Sequence, residues 1–245
     1  DDHHSTDGYR FPPIEFFRGV FGNWWQQGAD SVVTFNWSNA SPDICEKVSK
    51  SWGLKPYNWG PISHDQAYHE VGSPETLAYK DKFFAIERRG GYPWAEGFFG
   101  RNDDSPLPAI LANDGRSSNF TLIICDNIRS YSDKISKVVI RAIFFGAREV
   151  DKFDLQFNGV SIPSEVQDYQ WKDPQIFSPN PQPISGGDGM YKVNPEQKLL
   201  RLDFNVPSGL CRLGENQVSI SIIDRVPYVC AYIFLEKLEI HVKYL

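Results

Sequence analysis

The residues from 106 onward place the strongest constraint on what this chain can form. They break into short apolar or alternating runs divided by turn residues, the texture of an all-β sandwich or barrel. Runs at 120–125, 138–145, 153–157, 160–162, 199–206, 217–223 and 231–244 read as strands. Asn158-Gly159 stands between two alternating runs, the strongest short-range signal for a two-residue hairpin, because both turn positions need positive φ. Residues 173–189 are rich in Pro, Gly, Ser and Asn and read as an excursion over the surface.

The first third has a different grammar. Pro12-Pro13-Ile14-Glu15 is a helix start, with proline in the first turn and an acid at the positive end of the dipole. Ile14, Phe17, Val20, Phe21, Trp24 and Trp25 then recur at three- and four-residue steps, and Gly28 stands where such a helix ends. The run Val32-Val33-Thr34-Phe35 follows, β-branched and aromatic without polar alternation, which reads as a strand buried on both faces in a parallel sheet. A parallel strand needs parallel neighbours, and this chain has few residues before the helix to supply them. A turn-rich stretch at 38–72 comes next, with a short helical candidate at 43–51 and aromatic residues Trp52, Tyr57 and Trp59. Ser73-Pro74-Glu75 then caps a helix predicted over 76–82, and Phe83-Phe84-Ala85-Ile86 reads as a strand.

Composition narrows the partners. In 245 residues, 41% hydrophobic and 14% aromatic content suffices for packed cores, and a formal charge of −6 argues against binding a phosphate backbone. No apolar run approaches the eighteen residues of a membrane-spanning helix, and the acidic start is not a signal peptide, so a mature or truncated N-terminus is expected. Cys45, Cys125, Cys211 and Cys230 include no CxxC pair, which gives a structural zinc site little support. Three disulfide connectivities are open, and the pairing of Cys211 with Cys230 is the one the spacing singles out. Asn-X-Ser/Thr occurs at Asn36, Asn39 and Asn119. Pro42 follows the Asn39 triplet, so Asn119 is the expected glycan acceptor and the expected location is extracellular.

The segment FFRGVFGNWWQQGADSVVTFNW at 16–37 resembles the last helix and last strand of a (β/α)8 barrel in glycoside-hydrolase-like proteins. EVGSPETLAYKDKFFAIERR at 70–89 resembles the helix that closes such a barrel and the strand that leaves it. Leu107-Pro108 with the run to Asp126, and Leu213-Gly214-Glu215-Asn216 before Val218-Ser219-Ile220, resemble the β-sandwich appended to it. The resemblance implies an α/β plus all-β chain: residues 1–105 as the terminal segment of a (β/α)8 barrel, and residues 106–245 as an antiparallel, jelly-roll-like β-sandwich. It implies the C-terminal portion of a secreted glycoside hydrolase that supplies one wall of a sugar pocket, with the remainder of the barrel as partner. The paired catalytic carboxylates of such enzymes come from earlier strands, so no catalytic residue is assigned in this chain. A non-catalytic carbohydrate-binding module or lectin is the alternative, and a structural sandwich with its aromatics in the core is the third.

An oligo- or polysaccharide is met by aromatic rings against its apolar C–H faces and by polar groups at its hydroxyls. Asn36, Trp37, Tyr57, Asn58, Trp59, His64 and Asp65 are the candidate set. Many such loop aromatics merely anchor their loop, Trp52 and Trp59 above all. His3, His4 and Asp7 would lie near the barrel mouth, although adjacent histidines point in different directions and make a poor metal site. His64 and His69 lack an HExxH pattern, Ser63-His64-Asp65 is contiguous where a triad must converge from separate segments, and Gly186-Gly187-Asp188-Gly189 lacks the helix and lysine of a phosphate loop. Neither metal nor cofactor is expected.

Overall fold

The computed structural model describes residues 14–33, 64–87, 105–173, 198–225 and 231–245. Among these described residues three helices come first: α1 (Ile14–Gln26), α2 (His64–Val71) and α3 (Pro74–Leu77). Ten strands follow, β1 (Lys82–Ala85), β2 (Ala109–Ile110), β3 (Ser118–Ile124), β4 (Ile135–Phe145), β5 (Lys152–Phe157), β6 (Val160–Ile162), β7 (Ser164–Trp171), β8 (Leu199–Asn205), β9 (Gly214–Asp224) and β10 (Phe234–Tyr244).

Among the described residues every ladder is antiparallel. One sheet runs β1-β10-β4-β8-β7, with β2 continuing along the same edge of β10, and the other runs β3-β9-β5-β6. Successive strands from β2 to β5, and again from β8 to β10, alternate between the two sheets, the double Greek-key order of a jelly roll. Strand alternation produces the core directly. Ile140, Ala142 and Phe144 of β4, Leu202 and Phe204 of β8, and Leu238 and Ile240 of β10 face Phe120 and Leu122 of β3, Leu155 and Phe157 of β5, and Val218 and Ile220 of β9, all buried in one cluster. Asn158 and Gly159 take φ of +50° and +84° and join β5 to β6, as the Asn-Gly pair requires.

The barrel expectation is overturned. Val32 and Val33 belong to no strand, and Val33 is 88% exposed, while Thr34 and Phe35 lie outside the described residues. The strand at Phe83 does not leave a barrel; Lys82 to Ala85 pair antiparallel with Val242 to Glu239 of β10 and enter the six-stranded sheet. A short apolar run cannot by itself say whether its faces are covered by parallel neighbours, by a helix or by nothing.

The helices serve the sandwich instead. Strands β1 and β3 are edges of the two sheets, and α1 lies against both. A Cβ on Gly19 would run into the Phe83 carbonyl, and one on Gly22 into the Cys125 sulfur, so glycine lets the helix reach the β1 backbone at the first position and makes room for a side chain at the second. Asn23 Nδ2 donates to the Ile123 carbonyl at 2.9 Å, occupying an acceptor that an edge strand would otherwise offer to another chain. The Ser73 cap and first-turn proline form as read, but α3 stops at Leu77 rather than continuing through residue 82. Arg18 ties the layers together through Glu70 (2.6 Å) and the Asp81 carbonyl (3.0 Å).

Candidate functional site

A sandwich needs its inner faces apolar and leaves its outer faces to water, so a charged side chain that is nonetheless buried on an outer face calls for explanation. The outward face of the six-stranded sheet holds several. Register places them in rows. Glu239 of β10 sits opposite Arg141 of β4, which sits opposite Asp203 of β8, forming a carboxylate, guanidinium, carboxylate line across three strands. One pleat along, Phe83, His241, Val139 and Asn205 form the next row, and on the other side lie Lys237, Ile143 and Arg201.

The contacts follow the rows. Arg141 Nε and Nη2 donate to Asp203 Oδ1 and Oδ2 at 2.8 and 2.9 Å, a two-pronged pair. Arg201 Nε lies 3.7 Å from Asp203 Oδ2. Glu239 is approached by His241 Nε2 and by Lys237 Nζ, each at 3.0 Å. The insertion of Glu236 between register partners Leu235 and Lys237 makes a bulge in β10, which re-aims the following side chains. Trp171, at the end of β7, is overlain by the guanidinium carbons of Arg201 at 4.2 Å and Arg141 at 5.4 Å, and its Nε1 donates to Asp173 Oδ2 at 3.2 Å.

Depth separates the charges by sign. The carboxylates of Asp173 and Glu239 are 2% and 4% exposed, whereas Arg141 retains 25% and His241 21%. Buried acids therefore hold cationic and neutral donors toward the surface. Burial is the largest influence on Glu239 and opposes its ionisation, yet the His241 hydrogen bond and the Lys237 charge prevail and hold the carboxyl down at about 2, so it stays an acceptor throughout the physiological range. The Asp203 pair pushes Arg141 upward in the same way. The result is a preorganised set of donors beside an indole, suited to hydroxyl and ring oxygens. Two catalytic acids placed across a bond do not emerge from this row, because each carboxylate is committed to a cation.

A second polar node is structural. Lys82, almost wholly enclosed, gives its ammonium to the Leu77 carbonyl at 2.7 Å and to Asp126 Oδ2 at 2.9 Å, while Tyr244 donates its hydroxyl to that same oxygen at 2.7 Å. Every group there has a partner, and the node joins the helical layer to both sheets.

The sequence-derived set falls elsewhere. Asn36, Trp37, Tyr57, Asn58 and Trp59 lie outside the described residues, as do His3, His4 and Asp7. His64 and Asp65 open α2, and their side chains lie outside what is described. Asn119 is exposed on edge strand β3, where its Oδ1 accepts from the Ser219 hydroxyl at 2.6 Å. Cys211 is a buried free thiol, so the Cys211–Cys230 pairing is not formed, and Cys125 is likewise free. The charged row was missed because its members are spread over 98 residues, from Arg141 to Glu239. Its signal was present in the alternation of Lys237, Glu239 and His241 with apolar residues, read at first only as a strand.

Fold and site together define a two-sheet antiparallel β-sandwich with a helical cap and a charged outer face. No family model matches the chain, and no curated protein matches it. Among solved structures it is similar to BpGH86A, a beta-porphyranase of glycoside hydrolase family 86 from the human gut bacterium Bacteroides plebeius, at 13% identity and a TM-score of 0.35. The match covers 67% of this chain and 21% of that one, so the chain spans about a fifth of the enzyme's length. So slight a likeness leaves fold and activity to be argued from this chain's own residues.

Proposed function

We propose that this chain is a carbohydrate-binding β-sandwich module of a secreted carbohydrate-active protein, non-catalytic by itself, with the outward face of the six-stranded sheet as its sugar-binding surface. One observation carries the reading: the Glu239–Arg141–Asp203 row keeps its carboxylates buried and its donors partly exposed beside Trp171. Folding alone does not call for that order, since replacing buried ion pairs by apolar residues is often neutral or stabilising. A polyol suits it, because Arg141 and His241 meet hydroxyl oxygens while the indole, on the side away from the two guanidiniums, meets a C–H face. The likeness of residues 107–126 and 213–220 to the sandwich of glycoside-hydrolase-like proteins supports the same class.

The loop set Asn36, Trp37, Tyr57, Asn58, Trp59, His64 and Asp65 belongs to this proposal on sequence grounds alone, as do secretion and a glycan on Asn119. Trp59→Ala tests the loop set, and a mass increment lost in Asn119→Gln after expression in a eukaryotic secretory host tests the glycan. For the module itself, electrophoresis through native gels containing soluble neutral polysaccharides is the direct assay. Retardation by at least one polysaccharide, weakened in Trp171→Ala and in His241→Ala, supports it. Unchanged mobility of the parent across the panel makes the row an intramolecular lattice and removes the proposal.

A further inference from the structure

Tyr79 has a backbone that tyrosine rarely adopts. Its φ is +54°, in the left-handed region where a bulky side chain is a genuine outlier, and such strain persists only where the surroundings enforce it. The residue remains 45% exposed, so enclosure in the core is not what the strain achieves. The strained turn presents the ring edge-on to two others: Tyr131 at 5.2 Å, itself 37% exposed, and Tyr244 at 6.1 Å. Over this group stands the Lys134 ammonium, 3.8 Å from the Tyr79 centroid and 6.0 Å from that of Tyr131.

The charge balance is unusual. Three nearby lysines have acids: Lys82 has Asp126, Lys243 has Asp81, and Lys80 has Glu70. Among the described residues no carboxylate lies within ion-pair distance of Lys134, whose ammonium stands over the Tyr79 ring and near that of Tyr131. A fixed cation without an acid, beside an exposed phenol ring, calls for a ligand that is both anionic and ring-shaped. We infer that Tyr79, Tyr131 and Lys134 form a second saccharide subsite that takes an acidic pyranose, a uronate, with its C–H face against Tyr131 and its carboxylate on the Lys134 ammonium. This rests on the carbohydrate reading above but uses none of the residues of the six-stranded sheet's outward face.

The test is titration of the full chain with a polygalacturonate oligosaccharide and with its carboxyl-reduced, neutral counterpart, each with and without inorganic sulfate as competitor. The expected result is binding of the acidic oligosaccharide, weakened about tenfold in Lys134→Met, a loss suited to one charge-assisted contact. Lys134→Met keeps the long stem, and Tyr131→Leu removes the ring. Both should bind the acidic ligand more weakly while retaining the parent's retardation by neutral polysaccharide at the sheet face. Equal affinity for acidic and neutral oligosaccharides, unchanged binding in Lys134→Met, or full displacement by sulfate at equivalent charge would overturn the subsite and leave a cation–π staple or a bare anion contact. If only the neutral ligand is retained, this subsite fails alone; if only the acidic one binds, the sheet-face proposal fails alone.

Discussion

Arg141 and Asp203 face each other across β4 and β8 as a two-pronged pair, and Glu239 faces the same arginine from β10 on its other side. One guanidinium thus stands between two carboxylates on the outward face of a finished sandwich. Its surroundings are only partly wet, so the pair is neither a free surface bridge nor a dry one.

Removing the arginine leaves two acids without their shared cation. Arg141→Met is expected to destabilise the fold by about 2 kcal/mol, below the cost of breaking a fully dry pair because the guanidinium is partly solvated. The double variant Arg141→Met/Asp203→Leu should recover most of that loss. Urea unfolding of the three proteins checks both statements.

Acid should weaken the molecule through Glu239. Its folded carboxyl is held at about 2 against an ordinary 4.5, so the folded chain binds that proton less readily than the unfolded chain does. Such a group gives its full stabilisation above the unfolded value and loses it as pH falls from about 5 toward the folded one. Glu70, held at about 2 by Arg18, Gln66 and Lys80 against the opposing effect of burial, acts in the same window. Unfolding midpoints should fall between these pH values, and the decline should be shallower in Glu239→Gln.

Alanine normally stabilises a helix relative to glycine, yet in α1 it should do the reverse. Gly19→Ala drives a methyl into the Phe83 carbonyl of β1, a backbone atom that cannot step aside. A cost of about 2 kcal/mol is expected from overpacking, net of the propensity gain. Gly28→Ala, at φ +88° with open space around it, would instead report only backbone strain. Thermal unfolding of both variants separates close approach from conformation.

Both described cysteines should be inert in the folded protein. Burial pushes the Cys211 thiol up to about 12, and burial together with the Asp126 carboxylate pushes Cys125 up as well. Reaction with an aromatic disulfide reagent at pH 8 should be slow at Cys211 and Cys125 until denaturant is added, with peptide mapping to distinguish them from the other cysteines.

Much of the sandwich was legible because its signals are local. The Asn158-Gly159 turn, the α1 stripe ending at Gly28 and the Ser73 cap each need only neighbouring residues to be read. Strand β7 was missed because SEVQDYQW carries few apolar residues: it lies at the sheet edge beside β8 and buries little. The barrel reading failed for a complementary reason. Val32 and Phe83 are apolar, but whether such residues meet a parallel strand, an antiparallel one or a helix depends on segments far away in sequence. The candidate site was hidden on the same ground, since nothing local links Arg141 to Asp203 or to Glu239.

The sugar-binding account is tested most directly by one comparison: equilibrium binding of soluble neutral polysaccharides to the parent chain and to Trp171→Ala, with unfolding midpoints measured in parallel. The account predicts measurable binding by the parent and a loss of about tenfold in a variant that remains folded, the scale of one aromatic contact. Identical isotherms for the two folded proteins, or no binding by the parent, would contradict it.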